Sequence, residues 1–102
     1  MDQHTFSQRL AQLRTIKGVS ARDMSVSIGQ SHGYINNIEQ GICFPSMSSF
    51  FFICEYLNIT PAEFFNLEAT DPMQEQALLK SIRKLSKEQK ERLTAIAKDM
   101  AK

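Results

Sequence analysis

The stretch Gly18-Val-Ser-Ala-Arg-Asp-Met-Ser-Val-Ser-Ile-Gly-Gln-Ser-His-Gly-Tyr-Ile-Asn-Asn-Ile-Glu-Gln-Gly41 decides the fold. Ser20 lies three residues before Asp23, a spacing that caps and opens a helix, and Met24 and Ile28 fall on its inward side. Gly29 ends that helix. Ser31 is expected to cap the next one, over residues 31–40, with Ile35 and Ile38 as its buried pair and Gly41 as its stop. Two short helices joined by a tight turn through Gly29 and Gln30 have the spacing of a helix-turn-helix.

The same 3.6-residue period continues on both sides of this unit, and no alternating strand pattern occurs. Before it, Phe6, Leu10, Leu13 and Ile16 form a helical stripe that runs into Gly18. After it, Ser46 starts a fourth helix carrying Met47, Phe50, Phe51, Ile53, Cys54 and Leu57. Thr60-Pro61-Ala62-Glu63 combines a threonine cap, proline at the first helical position and glutamate at the third. It opens a short fifth helix whose Phe64 and Phe65 plug the core. The segment from Asn66 to Pro72 reads as the one linker, dividing the chain into residues 1–66 and a helical extension over 67–102. Asp71-Pro72 opens a sixth helix with Leu78, Leu79, Ile82 and Leu85 on one face. Ser86 and Gln89 open a seventh with Leu93, Ile96, Ala97 and Met100 on one face. The fold class is all-α.

Composition narrows the function. With 102 residues, 42% hydrophobic and 23% charged, the chain has the make-up of one globular domain. No apolar run is long enough to span a bilayer, and Met1-Asp2-Gln3-His4 has no signal-peptide character. Cys43 and Cys54 form no Cys-x-x-Cys motif, so neither a zinc site nor a disulfide framework is expected, and the expected compartment is a reducing cytoplasm. The first 66 residues carry a net charge of −1 and the remainder +2, so bulk charge does not hold a partner. No catalytic triad, metal-ligand spacing, paired carboxylates or phosphate loop is present. An enzyme, a cofactor and a small-molecule substrate are therefore not expected.

Over residues 6–65 the chain resembles the Cro/C1-type (XRE-like) family of phage and bacterial repressors. The shared pattern is Gly-apolar-Ser at Gly18, the Gly29 turn, Tyr34-Ile-x-x-Ile-Glu-x-Gly41, Pro45-Ser46, and Thr60-Pro61-x-Glu63-Phe-Phe. The resemblance implies a five-helix, lambda-repressor-like domain with double-stranded DNA as its partner, its recognition helix laid in the major groove. Carried over position by position, it places His32, Gly33, Asn36 and Asn37 toward bases. Ser20, Arg22, Ser31, Tyr34 and Gln40 lie toward phosphates, and Arg14 pairs with Glu39 to join helices one and three. Two departures stand out. Ala21 and Ile42 occupy positions where the family usually has a glutamine and a cation, and the recognition segment has no lysine or arginine. The cations left for phosphate are Arg22, Lys17, Arg9 and those of the C-terminal helices.

Phe52 and Tyr56, spaced i,i+4, lie outside the inward sector of helix four. Exposed aromatics of this kind mark an interface. A homodimer is expected, built on Phe52 and Tyr56 with Leu78, Leu79, Ile82, Leu93, Ile96 and Met100 of the extension. A helix-turn-helix scaffold that binds a protein instead, as an antitoxin-like or mobile-element module, is the alternative that the uncharged recognition helix favours.

Overall fold

The computed structural model describes all 102 residues. It contains seven helices and no strand: α1 (Gln3–Lys17), α2 (Ala21–Ser27), α3 (Tyr34–Glu39), α4 (Met47–Leu57), α5 (Pro61–Phe65), α6 (Pro72–Arg83) and α7 (Lys87–Met100). Six of them start alike. The side chains of Asp2, Ser20, Ser46, Thr60, Asp71 and Ser86 each accept a hydrogen bond from the backbone N–H three residues on. Glu63 and Gln89 return the bond in full capping boxes. The exception is α3. It begins at Tyr34 behind Gly33, with no side-chain cap, so the expected cap at Ser31 is not made. Ser31 contributes its carbonyl instead, which accepts from Tyr34 N–H at 3.1 Å and closes a turn through His32 and Gly33.

The core is one cluster around α1. Phe6, Leu10 and Leu13 meet Met24 of α2, Ile35 and Ile38 of α3, Phe50, Ile53, Cys54 and Leu57 of α4, and Phe64 of α5. Four residues expected to be buried are not. Ile16, Met47, Phe51 and Phe65 remain roughly half exposed or more. Successive residues on a helix point about 100° apart, so only Phe50 of the Phe50-Phe51-Phe52 run can face inward. Phe65 ends a five-residue helix and packs against Phe50 with ring centroids 5.4 Å apart and the rings tilted by 35°. Ile16 lies in the last turn of α1, on a shallow cleft with Leu57, Ile59 and Met73. Burial pushes the Cys54 thiol up to about 11, as suits a small core residue. Cys43 is half-buried against the cluster rather than exposed in its loop.

Sequence reasoning counted Arg9 among the cations open to a phosphate, and this is overturned. The side chain is 2% exposed and lies on the core side of α1 without a carboxylate partner. Its Nε donates to Phe64 O at 2.6 Å. One terminal nitrogen donates to Gln12 Oε1 at 2.8 Å and Ala69 O at 2.9 Å, and the other to Glu63 O at 2.8 Å and Asn66 O at 2.9 Å. All five guanidinium N–H groups are used. Ala69 and Pro72 are buried beyond α5, so packed chain continues through the turn that Arg9 holds.

The remainder of the chain is open. Every residue from Ser86 to Lys102 is exposed, and Leu78 and Leu79 of α6 are about half exposed or more. The radius of gyration is 16.8 Å, against about 13 Å for a compact chain of this length, and the extents are 51 × 25 × 23 Å. The excess length is the α6–α7 arm. No helix is long and apolar enough to cross a membrane.

Arg9→Met should strand two buried backbone carbonyls, Phe64 O and Ala69 O, and lower stability by about 3 kcal/mol, a fall of roughly 10–20 °C in Tm. Arg9→Lys should recover only part of this, because an ammonium has three donors and no planar fork. Thermal unfolding followed by circular dichroism checks both. A Tm unchanged in Arg9→Met would show that these bonds contribute nothing.

Candidate nucleic-acid interface

The helix-turn-helix is built from α2, the turn at Gly29 and Gln30, and α3. After Ser27 the chain must reverse within a few residues. Gly29 does this at φ +80, a conformation that side chains disfavour. The Gln30 N–H then reaches back to Ser25 O at 2.9 Å and the Gly29 N–H to Val26 O at 3.0 Å, closing α2 as a Schellman motif. The same pair of bonds closes α3 around Gly41, from Ile42 N–H to Asn37 O and from Gly41 N–H to Ile38 O.

Polar bonds then fix the angle of α3. Ser25, fully buried on α2, donates to Ala21 O at 2.7 Å and accepts from Ile35 N–H at 2.9 Å. Ser7 of α1 donates to Ile38 O at 2.6 Å, and Gln3 donates to Gly41 O at 2.8 Å. Arg14 grips Glu39 in a two-pronged pair, Nε to Oε2 at 2.6 Å and a terminal nitrogen to Oε1 at 2.9 Å. Its remaining terminal nitrogen donates to Val19 O, so the pair also holds the α1–α2 corner. This is the ion pair that the resemblance implied. Ser25, Ser7 and Gln3 escaped the sequence reading. A serine inside a helix has no apolar signature, and only the crossing of two helices reveals its second partner.

With Ile35 and Ile38 turned into the core, α3 presents its other side to solvent. His32, Gly33, Asn36, Asn37 and Gln40 are all exposed there, as are Ser20, Arg22 and Ser31 nearby in the sequence. Tyr34 is half-buried with its ring against the core cluster, which leaves less of it to meet a phosphate than expected. A Cβ built at Gly33 meets no atom within 4 Å. The fold therefore does not demand glycine there, and the open space lies in front of the first turn of α3. Charge is sparse. Residues 18–41 hold Arg22 as the one cation against Asp23 and Glu39, and Glu39 is already paired.

The interface residues expected on α4 and the arm do not come together. Phe52 is 54% exposed, while Tyr56 is partly covered, with Lys17 Nζ 4.9 Å from its ring centroid. The shallow hollow beside them is lined by Ser27, Ile28 and Glu55, not by α6 or α7. No group of three or more His, Cys, Asp or Glu residues is placed to hold a metal.

A braced, outward-facing short helix behind a glycine turn defines the helix-turn-helix class of DNA-binding regulators. The family model described as a helix-turn-helix domain matches residues 7–70, and the chain belongs to this family, in its XRE/Cro-C1 type. No curated protein and no solved structure matches the chain.

Glu39→Ala should leave the Arg14 guanidinium without its partner in a site where the two side chains are only 21% and 11% exposed. The expected loss is about 2–3 kcal/mol, between a solvated pair at roughly 0–1 and a fully buried pair at roughly 3–5. Urea unfolding measures it, and a midpoint equal to the parent's would mean that the pair is effectively solvated.

Proposed function

We propose that the protein is a sequence-specific, repressor-like DNA-binding regulator that reads an inverted repeat as a homodimer. The observation that carries this reading is the outer face of α3. Asn36 and Asn37 are exposed on a helix whose opposite face is locked to α1 and α2, and His32 is exposed on the turn that leads into it. Neither asparagine stabilises a helix, and neither supports the core. Each offers one donor and one acceptor, the set that matches N7 and N6 of adenine in the major groove. In this reading Asn37 is the main base reader, His32 and Asn36 are secondary, and Gly33 lets the backbone come close. Ser20, Arg22, Ser31, Tyr34 and Gln40 face phosphates.

Dimerisation places two such helices roughly 34 Å apart on successive turns of DNA. The apolar residues of the arm supply its surface: Leu78, Leu79 and Ile82 on α6, and Leu93, Ile96 and Met100 on α7, with Phe52 and Tyr56. Support comes from α7 itself, where Leu93, Ile96 and Met100 share one face, and Ile96 and Met100 stay more than half exposed while Leu93 meets only the shallow groove beside Ile82. Helices of this length are marginal in water without a packed face. The sparse charge around α3 favours the second reading, a protein-binding module, and the two readings predict different outcomes.

Asn37→Ala should relax preference at one base pair in each half-site, by about 1–3 kcal/mol. Arg22→Ala should instead weaken binding to all duplexes and reduce the salt dependence. Selection of bound fragments followed by binding isotherms reads both. Affinity and preference that both survive Asn37→Ala would remove α3 from the DNA and favour the protein partner.

In sedimentation, the parent chain should run as a dimer and Leu93→Glu/Ile96→Glu as a monomer. A parent that stays monomeric at high concentration would overturn the dimer.

A further inference from the structure

The cations free to hold phosphate stand away from the recognition unit, at the joint between α6 and α7. Residues 80–90 contain Lys80, Arg83, Lys84, Lys87 and Lys90 against one acid, Glu88. All five cations are exposed, and none is in an ion pair: the ion pairs of the chain are Arg14–Glu39 and Glu88–Arg92, so Glu88 is already engaged, and the next acid along, Glu91, is exposed one turn beyond Lys87. The helical repeat puts Lys80, Arg83 and Lys84 on the side of α6 opposite Leu78, Ile82 and Leu85. Ile82 lines a shallow groove with Lys90, Leu93 and Ala97 of α7, so the basic side of α6 faces away from that groove while Lys90 borders it.

Helix stability does not account for this arrangement. Lys80 and Arg83 suit the negative C-terminal end of α6, but Lys87 occupies the first position of α7, where the positive end of the helix disfavours a cation. Neighbouring unpaired cations also repel one another. A polyanion laid across the joint reverses the sign of both costs. Among polyanions, duplex DNA is the one that the rest of this chain addresses, and the recognition unit lacks the cations with which to hold it.

We propose that the α6–α7 joint, through Lys80, Arg83, Lys84 and Lys87, is a second DNA contact that grips the phosphate backbone outside the bases read by α3. This inference rests on the DNA-binding reading above. Each phosphate-neutralising cation adds about 0.9 to the slope of log affinity against log salt. The joint thus supplies sequence-independent affinity, and α3 supplies preference.

The test uses the full chain and a labelled duplex that it selects from a random library, with dissociation constants measured from 50 to 200 mM KCl. Arg83→Gln/Lys84→Gln/Lys87→Gln should lower the salt slope by up to about 2.7. That removes roughly 40-fold from the affinity lost across this salt range. Preference for the selected duplex over a scrambled one should be unchanged. The charge-preserving Arg83→Lys/Lys84→Arg/Lys87→Arg should keep the parent slope, and neither variant should melt lower than the parent. A slope unchanged in the glutamine variant overturns the proposal, also if the joint instead proves to hold anionic vesicles or an acidic peptide. Asn37→Ala, measured alongside, separates the two readings. Lost preference with an unchanged slope in the glutamine variant removes the joint and keeps α3 on the bases. A reduced slope with Asn37→Ala silent keeps the joint and removes α3. A chain that binds no duplex removes both.

Discussion

A guanidinium buried without a counter-ion holds α5 and the turn beyond it against α1. Burial pushes the Arg9 pKa below its ordinary value, yet the group stays charged, so its charge must be met by dipoles. Four of its five acceptors are backbone carbonyls at or just beyond the end of α5, where free carbonyls and the negative helix end concentrate. A five-residue helix cannot sustain itself, and a turn without regular structure cannot bury its own carbonyls. Arg9 meets both needs from α1. It also explains why no buried side-chain polar atom lacks a partner.

The recognition unit follows the same logic at smaller scale. Only Ile35 and Ile38 of α3 reach the core, which gives the helix an inward face but little resistance to sliding along its axis. Directional bonds supply that resistance. Ser25 fixes its first turn and Ser7 and Glu39 its last, while Gln3 pins the residue that follows it. Three of these four bonds come from α1, as does the clasp on α5. One fifteen-residue helix therefore sets the position of both the reading helix and the end of the domain.

The residues that stayed hidden in the sequence explain how much of it was legible. The helix count, five of the seven starts, the turn at Gly29 and most of the core follow from spacing and cap chemistry, which act over four residues or fewer. Arg9, Ser7 and Ser25 act across helices, over ten residues in the case of Ser25 and more than thirty for the others. In sequence, a buried arginine and a solvated one look alike. Ser31 failed as a cap for a related reason: a serine before an apolar pair suits a cap at several registers. Here the backbone turns through His32 and Gly33 before the helix begins. The outward face of α3 was readable because Ile35 and Ile38 fix its inward face. The joint cations were visible as letters but not as a patch, because the pairing of Glu88 with Arg92 and the exposure of the rest are geometric facts.

The arm combines two surfaces that need different partners. On α6 Leu78 and Ile82 occupy one side and Lys80, Arg83 and the C-cap Lys84 the other, with Leu79 on the flank beside Arg83. An apolar face gains about 25 cal/mol for each Å² removed from water, and it gains this only against another apolar face. The basic face gains only against an anion, and loses when buried in a protein interior. A second copy on the apolar face therefore leaves the cations free, and a polyanion on the basic face leaves the leucines free. The two contacts do not compete. In the proposed assembly they reinforce each other, because pairing two arms doubles the cations presented to one duplex while the two α3 helices bind in a single event. A recognition helix without lysine or arginine suits such an arrangement, since the proposed phosphate contacts then rest on the cations of the arm and base reading is left to the uncharged side chains of α3.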